Sequence, residues 1–402
     1  MTVKIGLEVL VTDEFKPLAG KRVGLFTNPS AVDSSLRSAT RLFKAAAAEG
    51  KINLTAIFAP EHGIDAAAAD GGKIASTSDG DLPVYSLYGD SQRPTPAMLE
   101  KVDVIVCDIQ DIGVRYYTFA WTITHILEAA GEKGVEVLIL DRPNPLGGVL
   151  VEGAPLDPAL ASLVGRCSIP IRHGLTLGEL AQVFNARWSA KPAQLEVIPC
   201  EGWRRSMLWN ATGLTFVPPS PNIPHLETVR QYPGACLIEG TTLSEGRGTG
   251  LPFEIVGAPF IDGAALVDHL NALNLAGARF RAHSFEPTTS KWSGERCGGI
   301  QVHITDLSAW RALRVWLSVI VAIKTLYPDQ FAWLAPGTSG VEARQVYHFD
   351  RLIGSSEVRQ RIDAGQPLDD LLAAWEKFAH AFEVDRWSYL LYELIETFEN
   401  GK

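Results

Sequence analysis

The chain is poor in several features that would settle its class at once. Its five cysteines, Cys107, Cys167, Cys200, Cys236 and Cys297, are widely spaced and form no Cys-x-x-Cys pair. Neither a disulfide framework nor a zinc site is indicated, and Cys107, inside an apolar stretch, reads as a small core residue. Positive charge is scarce too: 36 Lys and Arg against 46 Asp and Glu leave a formal net charge of −10. That balance argues against a nucleic-acid partner and against docking on an anionic membrane. No apolar run is long enough to span a bilayer, and the opening Met-Thr-Val-Lys-Ile-Gly has no leader pattern. As written, the sequence reads as cytoplasmic, or as periplasmic or secreted if a leader has been trimmed.

The common site signatures are also missing. The first strand runs into Gly24-Leu25-Phe26-Thr27-Asn28 where a dinucleotide fold needs its glycine turn, and there is no P-loop. No His-Glu-x-x-His occurs, and Ser244 has Thr242 where a nucleophile turn requires glycine. No nucleotide, other cofactor or metal is expected.

What is present is a rhythm. Apolar strands are expected at residues 22–27, 52–58, 102–108 and 135–141, with helices at 35–50, 95–101 and 118–131 between them. Strand and helix in alternation mean βαβ units and a doubly wound, mostly parallel α/β sheet. Further on, Thr176 and Glu179 form a capping box for a helix over 177–188, before a strand at 194–198. Residues 217–224 are too rich in proline for helix or central strand, and 236–239 read as a strand leading into a glycine-rich loop at 240–250. From about Pro252 the alternation loosens, with a strand at 299–304 and helices at 308–326, 368–382 and 387–399. The 402 residues exceed what one core usually serves, so two domains are the default.

Each early strand ends in a polar, rigid loop: Asn28-Pro29-Ser30, Pro60-Glu61-His62-Gly63, Asp108-Ile109-Gln110-Asp111 and Asp141-Arg142-Pro143-Asn144. In open α/β sheets ligands bind beyond the carboxyl ends of the strands, so four such loops at one edge read as a site. Its chemistry is carboxylate-rich: Glu61, Asp108, Asp111 and Asp141, with Glu239 and Glu245 further along. Paired carboxyls suit glycoside hydrolysis, one protonating the leaving oxygen and another serving water or the anomeric carbon. Arg115, Arg142 and Arg247 lie beside them in the chain, and Tyr116 and Tyr117 offer faces for a sugar ring. The plainer alternative is that Asp108 and Asp141 cap helices or pair with Arg115 and Arg142.

Seven segments carry a family resemblance: residues 60–63 (PEHG), 108–119, 140–148, 173–181, 218–225, 232–260 and 387–393. Together they resemble a bacterial family long catalogued as a domain of unknown function and now known for exo-acting β-N-acetylmuramidases. Those enzymes remove N-acetylmuramic acid from the non-reducing ends of peptidoglycan fragments. The resemblance implies a Rossmann-like catalytic domain over 1–240 and a smaller C-terminal α/β domain over 241–402 that closes the cleft. It places the catalytic glutamate of the PEHG motif on Glu61 as general acid, with His62, Asp108 and Asp111 holding the site. Asn28, Gln110, Arg115, Tyr116, Tyr117, Asp141, Arg142, Asn144, Asn222, Glu245 and Arg247 form the implied binding set. An arginine, Arg115 or Arg247, would grip the lactyl carboxylate. The implied ligand is a small muramic-acid-containing saccharide, and a cytoplasmic location would fit cell-wall recycling; oligomeric state is not legible.

One departure stands out. Where the family continues with an aromatic, Arg-Gly and later Ala-Asp-Ala-Gly-Glu, this chain has Asp65 for the arginine and Gly72 for the glutamate, within 64–73. That puts the substrate in question more than the reaction class. Two rivals follow from the same residues: a non-catalytic binder of cell-wall fragments, and a metal-dependent hydrolase built on Asp108, Asp111 and Asp141.

Overall fold

The computed structural model describes residues 2–61, 63, 76–80, 82–88, 91–337 and 345–393. Seven strands build the large sheet: β1 (Arg22–Thr27), β2 (Asn53–Ala59), β3 (Thr77–Asp79), β4 (Leu82–Ser86), β5 (Val104–Asp108), β6 (Glu136–Leu140) and β7 (Leu195–Ile198). Their order is β3-β4-β2-β1-β5-β6-β7, parallel except where β3 pairs with β4. Leaving out β3, the parallel strands run third-second-first-fourth-fifth-sixth, the order of the doubly wound nucleotide-binding sheets. Leu25, for example, lies opposite Ile57 on one side and Val106 on the other. All three are fully buried, as expected of strands with helices over both faces. A core cluster joins Val23, Leu25, Val104, Val106, Leu138 and Leu140 to Leu7, Leu10 and Phe43.

The smaller sheet is antiparallel, with β8 (Ile255–Ala258) and β9 (Ala278–Phe285) flanking β10 (Cys297–Ile304). Helix Gly263–Ala272 packs on β9 and against helix Ala312–Leu326. The chain forms two compact units. One holds Met1–Leu150, His173–Pro221 and Glu383–Lys402; the other holds Val151–Arg172 and Asn222–Phe382. The fold is thus a doubly wound, mostly parallel α/β unit joined in sequence to a smaller α/β unit. Among the described residues, no helix is long and apolar enough to cross a membrane.

Three expected elements differ. The strand expected at 236–239 is a 3-10 turn, Cys236–Gly240, that continues helix Leu226–Ala235. Cys236, Leu237 and Ile238 are all buried, and so short an apolar run reads equally as strand or buried helix. The helix expected at 95–101 is a run of turns held by Glu100 N–H to Ala97 and Val102 N–H to Leu99. Over 387–399, only Trp387–Tyr389 forms a 3-10 turn, and the chain then runs non-helically to residue 393. Tertiary bonds decide that course: Leu391 N–H donates to Glu179 at 2.9 Å and the Tyr392 hydroxyl to Asp141 at 2.5 Å. Residues beyond 393 lie outside those described. Strands β3, β4, β8 and β9 went unread, being short or weakly alternating.

Candidate active site

Glu61 follows β2 by two residues and is 9% exposed. The turn that presents it is closed by Gly63 N–H donating to the Pro60 carbonyl at 3.1 Å, with Gly63 at φ +78°. Glycine is needed for that left-handed backbone. Thr118 Oγ1 donates to Glu61 Oε2 at 2.7 Å. Because Thr118 opens helix Thr118–Lys133, the carboxylate sits at the positive end of a helix dipole. Tyr88, just past β4, hydrogen-bonds Glu61; burial first, and the charge of Glu61 second, keep its phenol un-ionised. Tyr117 stands between Glu61 and Asp111 electrostatically. Burial above all raises its hydroxyl, both carboxylates add to that, and a hydrogen bond with Ser220 opposes them. His62, expected beside Glu61, lies outside the described residues.

Asp111 is the other unusual carboxyl. Oδ2 accepts the Gly113 N–H at 2.6 Å, while Oδ1 is buried with no hydrogen-bond partner. Burial pushes its pKa up to about 7 against the pull of the Gly113 and Ile112 amides. Gly113 is itself obligatory: at φ +80° a Cβ would lie 2.3 Å from Asn144 Oδ1.

The remaining strand-end residues are engaged within the chain. Arg142 grips Asp108 with Nε at 2.6 Å and Nη2 at 3.0 Å, and gives Nη1 to the Val32 carbonyl at 3.0 Å. Asp141 accepts from Thr176 Oγ1 at 2.6 Å, Gly178 N–H at 2.9 Å and the Tyr392 hydroxyl at 2.5 Å. Even so, burial raises its pKa to about 6. Asn144 spans the Leu175 carbonyl and the Leu146 N–H, both at 2.9 Å. Gln110 Nε2 donates to the carbonyls of Asp111 at 2.7 Å and Pro143 at 3.1 Å. Asn28 Nδ2 donates to Pro219 O at 3.1 Å while its Oδ1 accepts from Ser30. Arg115 and Tyr116 are buried, and desolvation lowers the Arg115 pKa to about 10.

Glu245, Arg247 and Asn222 belong to the second unit. There Arg247 bridges Glu239 at 2.6 Å and Glu245 at 3.1 Å, beneath the Phe253 ring. Lys291 completes the cluster, reaching Glu245 at 2.7 Å and the Ile238 and Thr241 carbonyls at 3.1 and 3.0 Å. Two of its ammonium donors go to backbone carbonyls, and its charge is paired with Glu245. Sequence reasoning missed Lys291, Tyr88, Ser220 and Tyr392; Ser220 and Tyr392 lie within segments 218–225 and 387–393 that carry the resemblance, but no residue spacing gave any of the four a role. Thr118 was legible only as a helix start. Among the described residues, no group of three or more His, Cys, Asp or Glu is placed to hold a metal ion.

A doubly wound α/β unit with carboxyl, threonine and tyrosine groups gathered past its strand ends, followed by a smaller α/β unit, defines a two-domain enzyme class. The chain belongs to the exo-β-N-acetylmuramidase NamZ family: the N-terminal family profile matches residues 23–227 and the C-terminal profile residues 230–392. It is 44% identical over 392 residues to the peptidoglycan β-N-acetylmuramidase NamZ of Bacillus subtilis (strain 168), covering 97% of this chain and 91% of that one. Two crystal structures of DUF1343 family proteins from Bacteroides fragilis NCTC 9343 share the fold. One has TM-score 0.87 at 36% identity and the other 0.74 at 30%, each covering 98% of this chain and 99% of the other.

Proposed function

We propose that this chain is an exo-acting glycoside hydrolase that releases N-acetylmuramic acid from the non-reducing ends of peptidoglycan fragments, with Glu61 as general acid. The observation that carries the reading is the placement of Glu61. It is a nearly buried carboxyl past a central strand, fixed by Thr118 and Tyr88, in a chain of this family. In the reaction the Glu61 carboxyl gives its proton to the glycosidic oxygen as the bond from the anomeric carbon breaks. The proton leaves on the new hydroxyl of the departing sugar, water adds its hydroxyl to the anomeric carbon, and water's remaining proton restores the Glu61 acid. Thr118 and Tyr88 act as positioning residues.

The test is release of chromophore from para-nitrophenyl N-acetylmuramic acid, run beside the N-acetylglucosamine analogue. Turnover of the first is expected, and no release from either refutes the function. Glu61→Gln is expected to lose turnover while still binding N-acetylmuramic acid. A non-catalytic binder would have no turnover to lose. Asp108 and Asp141 have their oxygens committed to Arg142, Thr176, Gly178 and Tyr392, which disfavours the metal-dependent reading. Activity that survives EDTA would agree.

A further inference from the structure

Asp111 has a geometry that an ionised carboxylate does not tolerate well. Oδ2 receives the Gly113 amide at 2.6 Å. Oδ1 is buried and has no hydrogen-bond partner among the described residues. Among the described residues, Glu61 and Asp111 both act on the Tyr117 hydroxyl, which burial above all keeps protonated. A buried negative oxygen with no donor is the costliest state available to such a group. The neutral acid lowers that cost and turns the idle oxygen into a hydroxyl, a donor that needs an acceptor.

We infer that Asp111 works un-ionised, as a hydrogen-bond donor from Oδ1 to an acceptor oxygen of bound N-acetylmuramic acid. The acceptor is the acetamido carbonyl or the lactyl carboxylate. A neutral donor there suits a substrate that itself carries a negative charge, whereas a second carboxylate beside Glu61 would repel it. This rests on the muramidase reading above and assigns the two carboxyls different work: Glu61 moves a proton, and Asp111 keeps its own. Burial, which raises the Asp111 pKa to about 7, agrees with the geometry.

The substitution that separates the possibilities is Asp111→Asn, which keeps the shape and offers an N–H donor at every pH. With para-nitrophenyl N-acetylmuramic acid, wild type should lose kcat/KM as pH rises through about 7, where Asp111 ionises. Asp111→Asn should retain activity within about tenfold at low pH and lack that alkaline fall, whereas Asp111→Ala should lose about 100-fold throughout. If Asp111→Asn is folded by circular dichroism and as inactive as Asp111→Ala, Asp111 acts as a carboxylate and the inference is overturned. If wild type releases no chromophore at all, the function fails instead. The protonation state is then read without turnover, from a neutral-acid carbonyl band in infrared spectra of ligand-free wild type that is missing in Asp111→Asn. Absence of that band at about pH 6 overturns the inference in either case.

The acceptor is identified by calorimetry of Asp111→Ala with the free sugars. Weakened binding of N-acetylmuramic acid alone selects the lactyl carboxylate, and weakened binding of N-acetylglucosamine as well selects the acetamido group. Unchanged binding of both removes Asp111 from the ligand altogether.

Discussion

Asp108 and Asp111 stand three residues apart on one loop, both buried, and their surroundings are opposite. Both oxygens of Asp108 are held by Arg142, and that arginine is spent on the Val32 carbonyl as well. Asp111 has one oxygen on an amide and one on nothing. Further toward the β6 edge, Asp141 repeats the Asp108 pattern with three donors; toward β2, Glu61 is held by hydroxyls and stays at the rim of solvent. A carboxylate-rich strand edge therefore divides into a filled half, Asp108 and Asp141, whose oxygens are taken by protein donors, and a half we call open, made of Asp111, whose Oδ1 has no hydrogen-bond partner, and the proposed acid Glu61. Filled carboxylates brace loops. We assign the chemistry to the open half.

That division gives the two halves different failures. On the open half, Glu61→Gln is expected to cut kcat by about 10²- to 10⁴-fold with folding unchanged. Steady-state kinetics beside a thermal melt checks it; a melt that collapses while the residual kcat stays near wild type would place Glu61 with the braces. On the filled half, Asp108→Ala leaves the Arg142 guanidinium buried without its partner, and should cost about 3–5 kcal/mol of stability. Denaturant unfolding measures that cost. An Asp108→Ala protein of wild-type stability but no activity would reverse the assignment.

Much of this edge was legible from sequence because strand-end loops follow directly from the βαβ rhythm. Glu61, Asp108, Asp111 and Asp141 could be placed at one edge from the spacing of apolar runs alone, and the Thr176–Glu179 capping box formed as read. What sequence could not supply was partners. Whether Asp141 is open or filled depends on Tyr392, 251 positions away, and no local pattern encodes a contact that distant. The same contact, with the Leu391 amide on Glu179, draws the tail of the chain off a helical course that its aromatic spacing favoured. Likewise Arg247 reads as a free cation for a substrate anion until Glu239 and Glu245 are seen on either side of it.

Two smaller effects sharpen the contrast. Burial of Asp141 raises its pKa from 3.8 to about 6 in the fold, so the folded state holds a proton that the unfolded chain has released. Its contribution to stability is thus present below pH 3.8 and is lost as pH rises through about 6. Over that interval wild type should lose on the order of 1–3 kcal/mol relative to Asp141→Asn, which does not titrate. Parallel unfolding curves across the interval would show that the three donors to Asp141 outweigh its burial.

The smallest effect is the most diagnostic. Thr118→Val removes the hydroxyl from Glu61 Oε2 without changing side-chain shape, and one such bond is worth about 1 kcal/mol, near a fivefold loss of rate. Because Thr118 holds the proposed acid Glu61 and braces nothing on the filled half, the loss should fall on kcat, leave KM alone and leave the melting temperature within error. Thr118→Ser restores the hydroxyl and should restore the rate. A variant that loses stability and rate together would mean the two halves of the edge share one frame, with Glu61 held by the same network that fills Asp108 and Asp141.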